Sequence, residues 1–238
     1  MADSAMVIGA SSGIGEALAR KLADEGYEVG LTARSVERLE VIAEELPTGS
    51  YIARMDVRNT EEVRETFFEL AEAMGTVDVV VVNAGIGPGN IDLDWEPERE
   101  TIDTNVRGFT ALAVAAMNYF ETQGHGQLVG TSSVAAYVGS SQIPAYYASK
   151  AYVSNYLEGL RYKTRHLDAD ITVTTVEPGF VDTALAGGEF WMCSTDTAAE
   201  LIYGAIEKKK HHQFVSRRWR LIAYALQLMP SALKRRLF

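Results

Sequence analysis

With 238 residues, 47% of them apolar and 23% charged, the chain can bury a large core and is too apolar to be disordered. No run approaches the ~20 apolar residues of a membrane-spanning helix, and Met1-Ala2-Asp3-Ser4 lacks the basic and apolar regions of a signal peptide. Cys193 is the only cysteine, which excludes an internal disulfide and suits a cytoplasmic location, and the net charge of −10 argues against nucleic acid as a partner.

The first strand-like run, Ala5–Ile8, ends in Gly9-Ala10-Ser11-Ser12-Gly13-Ile14-Gly15, and helical spacing follows over Ile14–Glu25. Glycines let such a turn tighten and bring backbone N–H groups close to a ligand. The helix N-terminus beyond favours phosphate. Gly9, Ser11, Ser12, Gly13 and Ile14 are therefore candidate pyrophosphate contacts; an ordinary strand-to-helix turn is the plainer alternative. The second strand, Glu28–Thr32, runs into Ala33-Arg34-Ser35. An arginine here suits the 2′-phosphate of NADP(H), whereas an acidic residue would take the 2′-hydroxyl of NAD(H). NADP(H) is the preferred cofactor and NAD(H) the second candidate, unless Arg34 merely ends the strand in solvent.

Helical spacing returns over Val36–Leu46, a strand over Tyr51–Arg54, a helix over Glu61–Met74 and a strand over Val77–Val82. The last is almost wholly β-branched, as a strand buried on both faces requires. A long helix, Glu98–Glu121, contains Asn105, a poor mid-helix residue unless its side chain has a task. The strand Gln127–Thr131 leads to Ser132-Ser133, and the helix Ala145–His166 follows Pro144. The strand Ile171–Val176 leads to Pro178. This alternation predicts an α/β fold, a Rossmann-like doubly wound parallel sheet of about seven strands with helices on both faces, as one domain over 1–238. Function in such a sheet sits at the strand C-terminal ends, where Gly9, Arg34, Asp56, Asn83, Ser133 and Pro178 fall.

Tyr146 and Lys150 are four apart and share one helical face. A free tyrosine titrates near pH 10, too high for a base at neutral pH, and a neighbouring ammonium lowers that value. Lys150 can also donate to the ribose hydroxyls of a nicotinamide. A hydroxyl at Ser133 can polarise a substrate carbonyl. Tyr147 and Ser132 compete for these two roles. The glycine turn, Ser133, and Tyr146-x-x-x-Lys150 thirteen residues later together resemble the short-chain dehydrogenase/reductase family, over residues 5 to about 215.

The resemblance implies an oxidoreductase moving hydride between a nicotinamide cofactor and a carbonyl or alcohol substrate. It selects Tyr146 as acid/base over Tyr147, and Ser133 over Ser132. Asn105 resembles the family's helix asparagine, which holds a proton-relay water; a buried asparagine satisfying local backbone is the alternative. Asp56 and Val57 fall where the family contacts adenine. Asn83-Ala84-Gly85 resembles its Asn-Asn-Ala-Gly element, with Val82 replacing the first Asn, and Ile8 replaces the Thr of its opening Thr-Gly. Pro178, Gly179, Val181 and Thr183 match the element that fixes the carboxamide, and 183–197 corresponds to its mobile substrate lid. A homodimer or homotetramer is the usual family assembly.

The segment 216–238 is a basic amphipathic tail. From Lys208 onward there are nine Lys/Arg and no Asp/Glu, leaving 13 basic against 32 acidic residues before it. The tail docks on the acidic body or on a partner subunit in the favoured reading, and lies on a membrane surface in the other. Two alternative functions accompany these readings. One is a lipid-directed reductase of 3-oxoacyl, ketosphingoid or sterol-type carbonyls; the other is a non-catalytic NADP(H) sensor, which would not need Ser133, Tyr146 and Lys150.

Overall fold

A computed structural model of the chain describes residues 3–183, 191–230 and 233. Among them are seven strands: β1 (Ser4–Ile8), β2 (Glu28–Ala33), β3 (Ser50–Arg54), β4 (Val79–Val82), β5 (His125–Thr131), β6 (Asp170–Pro178) and β7 (His212–Val215). All pair in parallel, in the order β3-β2-β1-β4-β5-β6-β7. The order reverses between β1 and β4, which pair with Ala5 opposite Val79. There the loops leaving the two strands diverge and open a crevice.

The valines of β4 follow from this placement. Val79 and Val81 join one core with Ala5, Val7, Val29 and Leu31; Val80 and Val82 join the other with Met6, Ile8 and Leu128. Side chains alternate along a strand, so one covered on both faces needs an apolar residue at every position. Helices α1 (Gly13–Asp24) and α2 (Val36–Glu45) contribute Leu18, Leu22, Leu39 and Ile42 to the first core. On the other face α3 (Thr60–Met74) contributes Phe67 and Leu70.

Several expectations change in detail. Val77 and Asp78 lie outside β4, because the Asp78 carboxylate accepts from the N–H and hydroxyl of Ser4, at 2.9 and 3.1 Å. The single helix expected over Glu98–Glu121 is α4 (Trp95–Ile102), a π-helical turn over Asp103–Gly108, and α5 (Phe109–Gln123). Helical spacing cannot reveal one widened turn, and such turns often accompany functional sites. The third change concerns β7, which the strand assignments omit although the expected count holds. Its four residues, beginning with His212, carry no strand-like pattern of their own.

The catalytic-helix candidate is α6 (Pro144–Lys163), with proline in the first turn as expected. The segment 183–197 is not all loop, since α7 (Thr195–Ile206) begins within it. Residues 184–190 lie outside the described residues, as do 231, 232 and 234–238 of the tail. The rest of the tail forms α8 (Trp219–Leu228), docked through buried Trp219 and Ala223.

Candidate active site

The turn after β1 meets the loop after β4. Gly9 has φ +87°, and a Cβ there would stand 2.9 Å from the Ala84 backbone. Only glycine fits that combination of conformation and contact. The Gly9 and Ala10 N–H groups both donate to the Thr32 carbonyl, at 2.9 and 3.0 Å. The Asn83 amide donates to the Gly9 carbonyl at 3.3 Å and accepts from the Thr131 hydroxyl at 3.2 Å. Ser12 occupies the N-cap of α1 and its side chain makes no capping bond. The first-turn N–H groups are therefore not taken up by that side chain. With Ser11, Gly13 and Ile14 they line a cradle that fits a pyrophosphate. Thr183 closes it, its methyl 3.1 Å from where a Cβ on Gly13 would stand.

Arg34 is exposed at the end of β2. Beside it Arg58 grips Asp56, with Nε to Oδ1 at 2.9 Å and Nη2 to Oδ2 at 2.6 Å. Hydrogen bonding to Arg58, helped by the Arg34 charge, holds the Asp56 carboxyl below its usual range. Glu100 lies 3.7 Å from the same Arg58, so Arg58 is shared between two carboxylates, while Arg34 stands exposed beside Asp56. Arg58 lies four residues past the end of β3, where nothing in the sequence reading marks it. Val57 is buried next to Asp56.

Lys150 is only 5% exposed, and its ammonium donates to the Thr131 carbonyl at 3.0 Å. Burial lowers its pKa to about 8. The ammonium lies 5.6 Å from the centre of the Tyr146 ring. Burial pushes the Tyr146 phenol up, and a hydrogen bond with the Ser133 hydroxyl pulls it part of the way back. Ser133 also donates to the Pro178 carbonyl at 3.3 Å and accepts from the Ala135 N–H at 3.1 Å. Ser132 turns the other way and donates to the Lys150 carbonyl at 2.8 Å, inside the fold. Tyr147 faces a shallow cavity of about 480 Å³ bounded by Tyr137, Val138, Pro144 and Ala151. The geometry thus separates each competing pair.

Asn105 is buried in the π-helical turn. Its Oδ1 accepts from the Ile86 N–H at 2.9 Å, while Nδ2 donates to the Ile86 carbonyl at 2.7 Å and to Ser149 Oγ at 3.0 Å. The amide acts as a strand edge would, clamping the loop after Gly85 against α6. Gly87 in that loop carries the Tyr146 ring, since a Cβ there would stand 2.6 Å from Cδ2. We expect Gly87→Val to lower kcat/KM about tenfold to a hundredfold by displacing the phenol, with the circular dichroism spectrum unchanged. An unaltered rate would mean that the loop gives way and the ring does not.

Behind the site, Glu177 is buried to 1% exposure in β6. It accepts from Tyr137 at 2.7 Å and Ser154 at 2.8 Å, and lies 3.0 Å from His212 Nε2. Buried carboxylates need such partners. A lone acid in the apolar run before Pro178 is the sequence signal that could have found it. Gly179 and Val181 follow Pro178, and the Trp219 indole of α8 packs directly on Gly179. The tail thus reaches the Pro178–Thr183 segment. Trp219 also meets Phe180 and Trp191 edge to face, at 5.4 and 6.5 Å between ring centres.

The family model for short chain dehydrogenase matches residues 3–191. An uncharacterized oxidoreductase of Mycobacterium tuberculosis is 33% identical over 245 residues, covering 97% of this chain and 95% of that one. The structure of an alcohol dehydrogenase from the archaeon Thermococcus sibiricus, complexed with 5-hydroxy-NADP, is 28% identical with a TM-score of 0.79. That likeness covers 89% of this chain and 95% of the other. A short chain dehydrogenase/reductase from Burkholderia phymatum in complex with NAD shares the fold at 20% identity, with a TM-score of 0.87 over 94% and 92% of the two chains.

Proposed function

Because the chain belongs to the short-chain dehydrogenase/reductase family, whose matched relatives are oxidoreductases, we propose that it is an NADP(H)-dependent carbonyl reductase or alcohol dehydrogenase. The observation that carries this reading is the convergence of the Ser133 hydroxyl, the Tyr146 phenol and the Lys150 ammonium beside the glycine cradle. A nucleotide sensor would need none of the three.

Gly9, Ser11, Ser12, Gly13 and Ile14 hold the pyrophosphate, Asp56 and Val57 the adenine, and Asn83, Ala84 and Gly85 the floor. Pro178, Gly179, Val181 and Thr183 orient the carboxamide end. Bound there, the nicotinamide supplies or accepts hydride at the substrate carbon. Ser133 donates to the substrate oxygen, and Tyr146 protonates that oxygen in reduction or removes its proton in oxidation. Lys150 holds the ribose and returns a proton toward Tyr146. Asn105 keeps the loop over α6 in place and serves the same proton path. Cytoplasmic location and a homodimer or homotetramer belong to this proposal.

The exposed Arg34 at the end of β2, where an acidic residue would suit NAD(H), supports NADP(H) over NAD(H). Binding of both reduced nucleotides by fluorescence tests the reading. Hydrogen bonds to charged groups contribute about 1.5–3 kcal/mol, so Arg34→Asp should weaken NADPH binding about 10- to 100-fold and spare NADH. Absence of binding by either nucleotide would remove the proposal. Tighter NADH binding in the unaltered protein would overturn only the cofactor preference.

A further inference from the structure

One face of α8 packs on the body, and its other face is apolar and exposed. Trp219 and Ala223 are buried, whereas Leu221, Tyr224 and Leu228 are 69%, 51% and 83% exposed. The last three recur at the spacing of one helical stripe. Exposed Arg217, Arg218 and Arg220 stand at the N-terminal end of the helix. A stripe of leucine and tyrosine ending in arginines is the composition of a helix lying in a bilayer interface. No helix among the described residues is long and apolar enough to cross a membrane.

Two further observations point the same way. Ile91, Leu93 and Trp95, exposed at 76%, 67% and 68%, follow β4. They therefore stand at the same C-terminal edge of the sheet as α8, which follows β7 and packs on the turn after β5. The charge is also divided. Of the nine basic residues from Lys208 onward, Lys208–Lys210 precede β7 at the opposite edge of the sheet, where Lys209 pairs with Asp170 at 2.9 Å; the cations that stand at α8 are Arg217, Arg218 and Arg220, with no acidic residue after Glu207 to offset them. A negative surface would attract the arginine-bearing end of α8, which favours one orientation.

We propose that α8 is a docking surface for anionic phospholipid, seating the enzyme on the membrane with the mouth of its site toward the lipid. A second copy of the chain fits this face less well. A twofold pairing with the helices parallel would set the arginines of one copy against those of the other, and an antiparallel pairing would bring them to a helix end that offers no acidic residue. The proposal goes beyond the oxidoreductase reading and does not depend on it. Its geometric consequence is that lipid would lie about one helix diameter, ~10 Å, from Gly179, since Trp219 rests on that residue.

Sedimentation of the full chain with phosphatidylcholine vesicles, with and without phosphatidylserine, tests it. Binding should require phosphatidylserine and weaken with salt. Each basic residue near an anionic surface contributes about fivefold in affinity, so the triple change of Arg217, Arg218 and Arg220 to Gln should weaken binding roughly a hundredfold. The pair Leu221→Ser and Leu228→Ser should also release the protein. Circular dichroism on each variant shows that it is folded, and light scattering gives the oligomeric state. Failure to bind anionic vesicles, or equal binding to both vesicle types, overturns the proposal. So does an oligomer that the two leucine changes dissociate, since a second copy would then cover the face.

Discussion

Tyr146→Phe should lower turnover of any accepted carbonyl by about 10²- to 10⁴-fold, the usual contribution of a positioned proton donor, while NADPH affinity stays unchanged. The substitution removes one oxygen and keeps the ring that rests on Gly87 and meets Tyr147 at 6.0 Å. Ser133 loses one partner and retains the Pro178 carbonyl. The local fold should therefore survive, and the loss should appear in kcat. Tyr147→Phe is the matched control, because that ring borders the cavity and has no comparable bond to Ser133. Should Tyr147→Phe be the inactive variant instead, the proton would have been assigned to the wrong phenol.

A second large effect concerns Lys150, where function and stability oppose each other. Burial lowers its pKa from 10.5 to about 8. Below pH 8 the folded and unfolded chains both carry the ammonium, and the folded chain bears its desolvation cost. Between pH 8 and 10.5 the unfolded chain holds a proton that the folded chain has released, so stability rises with pH across that window. Above it both states are neutral. Relative to Lys150→Met, the unaltered protein should gain roughly 3 kcal/mol over this range. The bond to the Thr131 carbonyl is missing from the variant at every pH, so it shifts the difference between the two proteins without imposing a slope. Urea unfolding of both proteins at a series of pH values, without nucleotide, reads the slope directly, and Lys150→Met should also be inactive. Parallel stability curves would show a solvated lysine and remove the basis for its pairing with Tyr146.

The opposed shifts at these two groups refine the sequence expectation. Proximity of lysine to tyrosine suggests a lowered phenol pKa. In the folded chain burial dominates at both, moving Lys150 down and Tyr146 up, and Ser133 supplies the compensating hydrogen bond. Burial is set by what packs around a side chain, which i to i+4 spacing cannot report.

Most of the framework was nevertheless legible in the chain. Period-two and period-3.6 patterns are local, so the alternation of strands and helices could be read, as could the valine run of a twice-covered strand. The glycine turn and Tyr146-x-x-x-Lys150 were legible for the same reason, because their chemistry depends on residues a few positions apart. Folding decided the rest, through contacts between residues far apart in sequence. It widened one turn so that Asn105 grips Ile86, nineteen positions away, and turned Ser132 inward while leaving Ser133 for Tyr146. It brought Trp219 from the tail onto Gly179. Sequence determined which groups were available for chemistry; tertiary packing decided which of them meet, which are stripped of water, and which face of the last helix remains outside.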